Sequence, residues 1–336
     1  MRMLVWGAGA IGGAIGAYLV RAGHEIVFVD RAVDHVDTII RTGLSITGPI
    51  DQFTVEAKAV TPDAVTGQFE QILLCVKAQD TEGAVHALAP HLTADGYVVS
   101  LQNGLNERVI AGVVGRQRTI GAFVNFGADY LEPGLVLYAG RGAVVLGELD
   151  GRYTERIGAL HRALLAFEPN AVVTDNIWGY LWGKLAYGAQ LFATAVTNDA
   201  IADCLAEPAY HAVYIALAQE VMRVAVASGV TPQGFNGFDP LAFLPDTSRE
   251  ESVRSLQEMV VFNRRSAKTH SGIWRDLAVR KRRTEVDAQL GPIVAIGMQL
   301  GVSTPLTARL IELIHDIEEG RRMLQTANLA ELVVLL

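Results

Sequence analysis

Several groups of residues in this chain have the types and spacing to do chemistry. Gly7-Ala8-Gly9-Ala10-Ile11-Gly12 has the spacing G-x-G-x-x-G. In that pattern the first glycine permits a tight turn, the second lets main chain approach a pyrophosphate, and the third lets a helix pack on a strand with its first N–H groups facing phosphate. Asp30 lies about twenty residues on, where a carboxylate accepts from a ribose 2′-hydroxyl; Arg31 beside it is the type that pairs with a 2′-phosphate. The two point in opposite directions, and because the carboxylate repels a phosphate the balance falls to NAD over NADP. Lys77 follows the apolar run Ile72 to Val76, and Asn103-Gly104 follows Val98-Val99-Ser100. Both sit where strands end, the edge at which open α/β sheets bind ligands.

A second set lies later in the chain. Lys184 is the one lysine in the otherwise apolar run Ile177 to Ala186, and an ammonium there needs a partner, a path to water or a catalytic task. Ser271, Asp276 and the run Arg280-Lys281-Arg282-Arg283-Thr284-Glu285-Val286-Asp287 gather charge at another helix start. Taken alone, the basic run reads as a solvated face or as internal pairing, and Thr284 and Glu285 read as helix-start residues. The eight histidines form no metal-ligand spacing, so no metal is expected, and no G-x-S-x-G or Walker A pattern occurs.

The elements that must position these residues follow from periodicity. Met3 to Trp6 is a short apolar strand, Ile11 to Val20 a helix, and Glu25 to Asp30 a second strand ending on an acid, which completes a βαβ unit. Further strands are expected at Gln71 to Val76, Gly96 to Ser100, Thr119 to Phe123, Gly142 to Leu146 and Ala171 to Thr174, with helices at Thr81 to Ala89 and Leu105 to Val114. Alternation of this kind predicts a mostly parallel, doubly wound sheet. Beyond Asp175 the runs Trp178 to Val196, Pro208 to Ser228, Ser252 to Thr269, Glu285 to Leu300 and Pro305 to Met323 are helical, and Gly229 to Asp246 is a loop. The fold class is therefore α/β: a Rossmann-type domain over 1–175 and an all-α domain over 176–336.

Composition narrows the function. At 336 residues the chain is long enough for two cores, and a formal charge of −8 argues against a nucleic-acid backbone binder. Cys75 and Cys204 make no disulfide framework, which suits a reducing cytoplasm. Met3 to Val20 carries no charge, yet it holds Gly7, Gly9, Gly12, Gly13 and Gly16 and charges resume at Arg21, so it reads as strand and helix rather than a membrane segment.

Taken together, the glycine turn, Cys75-Val76-Lys77-Ala78, Gln102-Asn103-Gly104, Trp182-Gly183-Lys184-Leu185-Ala186 and Ser271 through Asp276 to Asp287 resemble the ketopantoate reductase (2-dehydropantoate 2-reductase) family nearly end to end. The resemblance implies an NADPH-dependent reduction of a 2-oxo acid between the two domains, a role in pantothenate biosynthesis, and a homodimer through the helical domain. It makes Lys184 the general acid, Glu285 the hydrogen-bonding partner of a substrate hydroxyl, Ser271 a contact of the substrate carboxylate, and Lys77 and Asn103 residues of the nicotinamide side, with Asn103 also placing substrate. The family has substrate-binding asparagines four and eight residues after the lysine, where this chain has Gly188 and Phe192. That departure points to a different, more apolar 2-oxo acid. Asp30 departs too, because the NADP pattern has no acid there. Two other readings are a 3-hydroxyacid dehydrogenase-like enzyme, against which Gly188 and the Ser271 to Glu285 segment speak, and a dinucleotide-binding sensor without catalysis, against which Lys184 and Glu285 speak.

Overall fold

The computed structural model describes residues 1–235, 237–265 and 269–336, which form two compact units, Met1–Ile177 and Trp178–Leu336. In the first, β1 (Arg2–Trp6), α1 (Ala10–Arg21) and β2 (Glu25–Val29) are followed by α2 (Val33–Thr42), β3 (Leu44–Thr47), β4 (Phe53–Val55) and β5 (Lys58–Val60). Then come β6 (Phe69–Leu74), α3 (Thr81–Leu88), β7 (Leu92–Ser100), α4 (Glu107–Val114), β8 (Thr119–Glu132), β9 (Leu135–Glu148), α5 (Glu155–Leu164) and β10 (Val172–Val173). The strands make one sheet in the order β4-β3-β9-β8-β7-β6-β1-β2-β5, with β10 beside β9; only β3–β4 and β8–β9 pair antiparallel. This is the mostly parallel α/β sheet that the sequence predicts.

Met3, Leu4 and Val5 are fully buried because β1 runs between β2 and β6, with helices on both faces, and a strand covered on both sides is apolar at successive positions. On one face Ile15, Tyr18 and Leu19 of α1 pack with Val5 and Phe28; on the other Val85, Leu88 and Ile110 pack with Leu4, Ile72 and Val98. Trp6 pairs with Val29 and Leu74, and Leu74 with Ser100, so β1, β2, β6 and β7 end together at one edge. Gly7, Asp30, Lys77 and Asn103 all leave the sheet from that edge.

Where periodicity gives only Thr119–Phe123 and Gly142–Leu146, the structure has one long hairpin of fourteen-residue strands turning at Pro133-Gly134, with Gly134 at φ +74°. Its outer half is only partly buried and interrupted by Gly127, Gly140 and Gly142, so it carries no clean alternation. The Pro-Gly pair was its available signal. Helices α2 and α5 were likewise not read from the sequence.

The second unit is helical: α6 (Ile177–Thr194), α7 (Ile201–Ala206), α8 (His211–Ala227), α9 (Arg249–Arg264), α10 (Gly272–Trp274), α11 (Val286–Gln289), α12 (Gly291–Leu300), α13 (Pro305–Glu318) and α14 (Ala327–Val333). The run expected as one helix over Glu285–Leu300 breaks between α11 and α12, because Pro292 has no N–H and disfavours helical backbone before it. Gly320, at φ +72°, follows the end of α13 and stops it short of Met323. The helix expected over Ser252–Thr269 is α9, and 266–268 lie outside the described residues, as does 236 in the Gly229 to Asp246 loop. That loop holds a single Phe235–Phe238 bridge and one 3-10 turn, Pro240–Phe243. Among the described residues no helix is long and apolar enough to cross a membrane.

Candidate active site

The glycine turn is built by contact. Gly7 has φ +102°, and a Cβ on it would lie 2.9 Å from the main chain of Cys75 and Val76; its N–H donates to Val29 O at 2.8 Å. A Cβ on Gly12 would lie 2.0 Å from Gly7 O and 2.9 Å from Val5 Cγ1, so the helix sits directly on the strand. Gly9 is different. Among the described residues a Cβ there meets nothing within 4 Å, and Gly9, Ala10 and Ile11 are half-exposed while Ala8 and Gly12 are buried. Gly9 is the N-cap residue of α1, with no side-chain cap and no acid in the first turn. Unsatisfied helix N–H groups therefore face open space, which fits the pyrophosphate of a dinucleotide.

The Asp30 carboxylate accepts from Ala8 N–H through Oδ2 and from Ala32 N–H through Oδ1, each at 3.0 Å. One lone pair on each oxygen remains for a ribose diol. Arg31 is 80% exposed at its side chain, 3.4 Å from Asp80 Oδ1. Lys77 and Asn103 are both exposed at the sheet edge. A chain of side chains, of which the sequence singled out only Gln102, fixes their main chain. Gln102 Nε2 donates to Val76 O (3.0 Å) and Thr81 Oγ1 (2.8 Å), Thr81 Oγ1 donates to Asn106 Oδ1 (3.1 Å), and Asn106 Nδ2 donates to Asn103 O (2.6 Å). Cys75 beneath them is partly covered, and burial pushes its thiol up, which makes it a packing residue rather than a nucleophile.

In the second unit the motif around Lys184 divides its labour. Trp182 is fully buried. Gly183 admits the loop: its missing Cβ would lie 2.4 Å from Gln233 O, and Gln233 N–H donates to Gly179 O at 3.0 Å. Lys184 is half-buried. One turn on, a Cβ at Gly188 would meet, among the described residues, only Gln289 Oε1, at 3.8 Å, so α6 and α11 approach each other at a position open for want of a side chain. Phe192 is fully buried and packs in the interior.

Ser271 is 4% exposed, and its hydroxyl oxygen accepts from Trp274 N–H at 3.1 Å, starting α10. Asp276, 3% exposed, accepts from Arg280 at 3.2 Å and Arg282 at 2.9 Å, so those two members of the basic run are paired internally. Lys281 between them takes the left-handed value φ +48°. Glu285 is buried at the start of α11. Its neighbours are held from α13. Thr284 N–H and Oγ1 both donate to Glu318 Oε1 at 2.7 Å, and His315, one turn earlier, lies 2.9 Å from Asp287. Neither His315 nor Glu318 stood out in the sequence, because nothing local marks a carboxylate that caps a segment 34 residues away.

A glycine turn at the carboxyl edge of a doubly wound sheet, followed by a helical unit bearing a lysine in an apolar helix, defines a two-domain dinucleotide-dependent oxidoreductase. Residues 3–151 match the family model described as Ketopantoate reductase PanE/ApbA, and residues 176–318 match Ketopantoate reductase PanE/ApbA C terminal. The chain belongs to the ketopantoate reductase family, and it is an oxidoreductase acting on a CH–OH/C=O group with a nicotinamide dinucleotide. It is 28% identical over 322 residues to 2-dehydropantoate 2-reductase of Archaeoglobus fulgidus (95% of this chain, 98% of that one) and 27% identical over 329 residues to that of Pyrococcus horikoshii (95% and 98%). The crystal structure of a PanE/ApbA family ketopantoate reductase from Ralstonia eutropha JMP134 is similar at TM-score 0.80 and 29% identity, covering 96% of this chain and 99% of that one. A ternary structure of D-mandelate dehydrogenase with NADH and anilino(oxo)acetate shares the fold at TM-score 0.81 and 24% identity, over 95% of this chain and 99% of that one.

Proposed function

We propose that this protein reduces a 2-oxo acid to the 2-hydroxy acid, with Lys184 as the general acid and Glu285 and Ser271 holding the substrate. A reduced nicotinamide, when bound, would supply the hydride to the carbonyl carbon. Lys184 Nζ delivers a proton to the carbonyl oxygen, and its ammonium stabilises the developing alkoxide. Glu285 accepts from the hydroxyl that forms as the carbonyl is reduced, Ser271 donates a hydrogen bond to the substrate carboxylate, and Lys77 and Asn103 line the nicotinamide side. The observation that carries this reading is the meeting of Gly188 with Gln289, which joins α6 and α11 one turn beyond Lys184 and one turn beyond Glu285.

Two finer points belong to the same reading. Asp30 accepts from the ribose diol and repels a 2′-phosphate, while Arg31 is solvated beside Asp80, so NADH is preferred to NADPH. A D-mandelate dehydrogenase of the same fold carries NADH. The open position at Gly188 leaves room beside the reacting carbon that an asparagine side chain would fill, and the substrate is a 2-oxo acid with a bulkier, more apolar substituent than 2-dehydropantoate. The helical unit carries the substrate contacts and the dimer interface.

The test is to incubate purified protein with NADH and with NADPH against 2-dehydropantoate, branched and aromatic 2-oxo acids and a 3-oxo acid. The expected result is NADH-linked reduction, fastest with an apolar 2-oxo acid. Tight nucleotide binding with no turnover on any of them contradicts catalysis, and turnover confined to 2-dehydropantoate contradicts the substrate assignment.

A further inference from the structure

His35, on α2, is fully buried and makes two hydrogen bonds to main chain from distant parts of the first unit. Its Nε2 lies 2.9 Å from Ala8 O in the glycine turn, and Gly134 N–H, at the tip of the β8–β9 hairpin, donates to its Nδ1 at 2.9 Å. A carbonyl only accepts and a backbone N–H only donates, so the ring is the neutral Nε2–H tautomer, giving its proton to Ala8. The main chain of Ala8 is thereby held on both sides, its N–H by Asp30 and its C=O by His35.

The surroundings leave little freedom. A Cβ on Gly134 would lie 2.5 Å from Thr38 Cγ2 on α2, and one on Gly13 would lie 2.8 Å from Ala8 O. The ring of Tyr130 stands edge-on to the imidazole at 5.0 Å. Both ring nitrogens are thus used, and the turn that faces open space at Gly9 is braced from behind by a side chain outside its own motif.

We propose that His35 is a positioning residue for the dinucleotide. By tying the Ala8 carbonyl to the hairpin tip it holds the Gly7–Gly12 turn in the shape that presents its N–H groups to the pyrophosphate. The inference rests on the dinucleotide reading of that turn and on nothing in the helical unit.

The test compares His35→Leu, which removes both hydrogen bonds, with His35→Gln, whose amide keeps one donor and one acceptor. Binding of NADH and of ADP-ribose is measured by titration calorimetry, and kcat and cofactor KM by turnover of whichever 2-oxo acid is reduced. Losing a buried hydrogen bond at the turn weakens both nucleotides roughly tenfold in His35→Leu, raises the cofactor KM to match, and leaves kcat at saturating cofactor within about twofold. His35→Gln recovers most of the affinity. A folded His35→Leu that binds both nucleotides as tightly as the native chain overturns the proposal, and so does a His35→Gln as weak as His35→Leu. Should His35→Leu not fold, long-range 1H–15N spectra of the native protein decide: the Nε2–H tautomer is expected, and an Nδ1–H ring overturns the clamp. A native chain that binds neither NADH, NADPH nor ADP-ribose refutes the dinucleotide reading itself, a different failure.

Discussion

Between Gly7 and Gly12 the molecule presents main chain, whereas around Lys184 and Glu285 it presents charged side chains, and the two regions are built on different physical terms. In the first, glycines remove atoms so that strand, turn and helix come within contact distance, and the open space at Gly9 is what remains for a ligand. In the second, the segments beside the chemical side chains are braced by chain from elsewhere in the unit: Gly183 by the main chain of the Gln233 loop, and Thr284, next to Glu285, by Glu318 of α13. The glycine turn tolerates no added atom at some positions and any small one at others. The helical site depends on polar partners distant in the sequence.

That contrast can be broken first at Gly12. Gly12→Val sets side-chain atoms against Gly7 O and Val5, neither able to move away, and the cost of several kcal/mol exceeds what one unit can spare. The expected outcome is loss of soluble, cooperatively melting protein, seen by circular dichroism; a native melting curve contradicts the packing account. Gly9→Val is its counterpart. With φ −69° and free space the fold accepts the change, so Tm stays native while affinity for NADH falls roughly tenfold or more, measured by calorimetry. Equal loss of Tm at both glycines removes the distinction.

In the helical unit, Glu318→Ala deletes both hydrogen bonds to Thr284. The substrate KM is expected to rise roughly threefold to tenfold, with nucleotide affinity unchanged. The smallest effect lies furthest from the chemistry. Arg309 first, and then Arg322, hold the Glu331 carboxyl below its ordinary range, which ties α14 to α13. Because the folded-state value is depressed, this contribution is present above the unfolded carboxylate range and is lost as pH falls through the folded value. Glu331 is 36% exposed and screened by solvent, so Glu331→Gln lowers Tm by only about 1–3 °C at neutral pH, and the difference closes in acid. A gap that widens in acid contradicts the ion-pair assignment.

How much could be read in advance follows the same division. The glycine turn is contiguous, so Gly7, Gly9 and Gly12 declared themselves, and the apolar run of β1 set the strand before them. Lys184 was visible because a charge in an apolar helix is conspicuous. The braces were not visible. His35 acts on residues 27 and 99 positions away and Glu318 on one 34 away, and such pairings leave no local pattern. Only part of the long β8–β9 hairpin is legible in the sequence, because its glycines interrupt the alternation that marks a strand.

We propose that the glycine turn binds the dinucleotide while Lys184 supplies the proton. The most direct measurement is single-turnover reduction by Lys184→Ala at saturating NADH and 2-oxo acid, alongside its Kd for NADH. The account predicts a rate lowered by roughly 10²–10⁴-fold with the Kd held within about twofold, and an unchanged rate contradicts it.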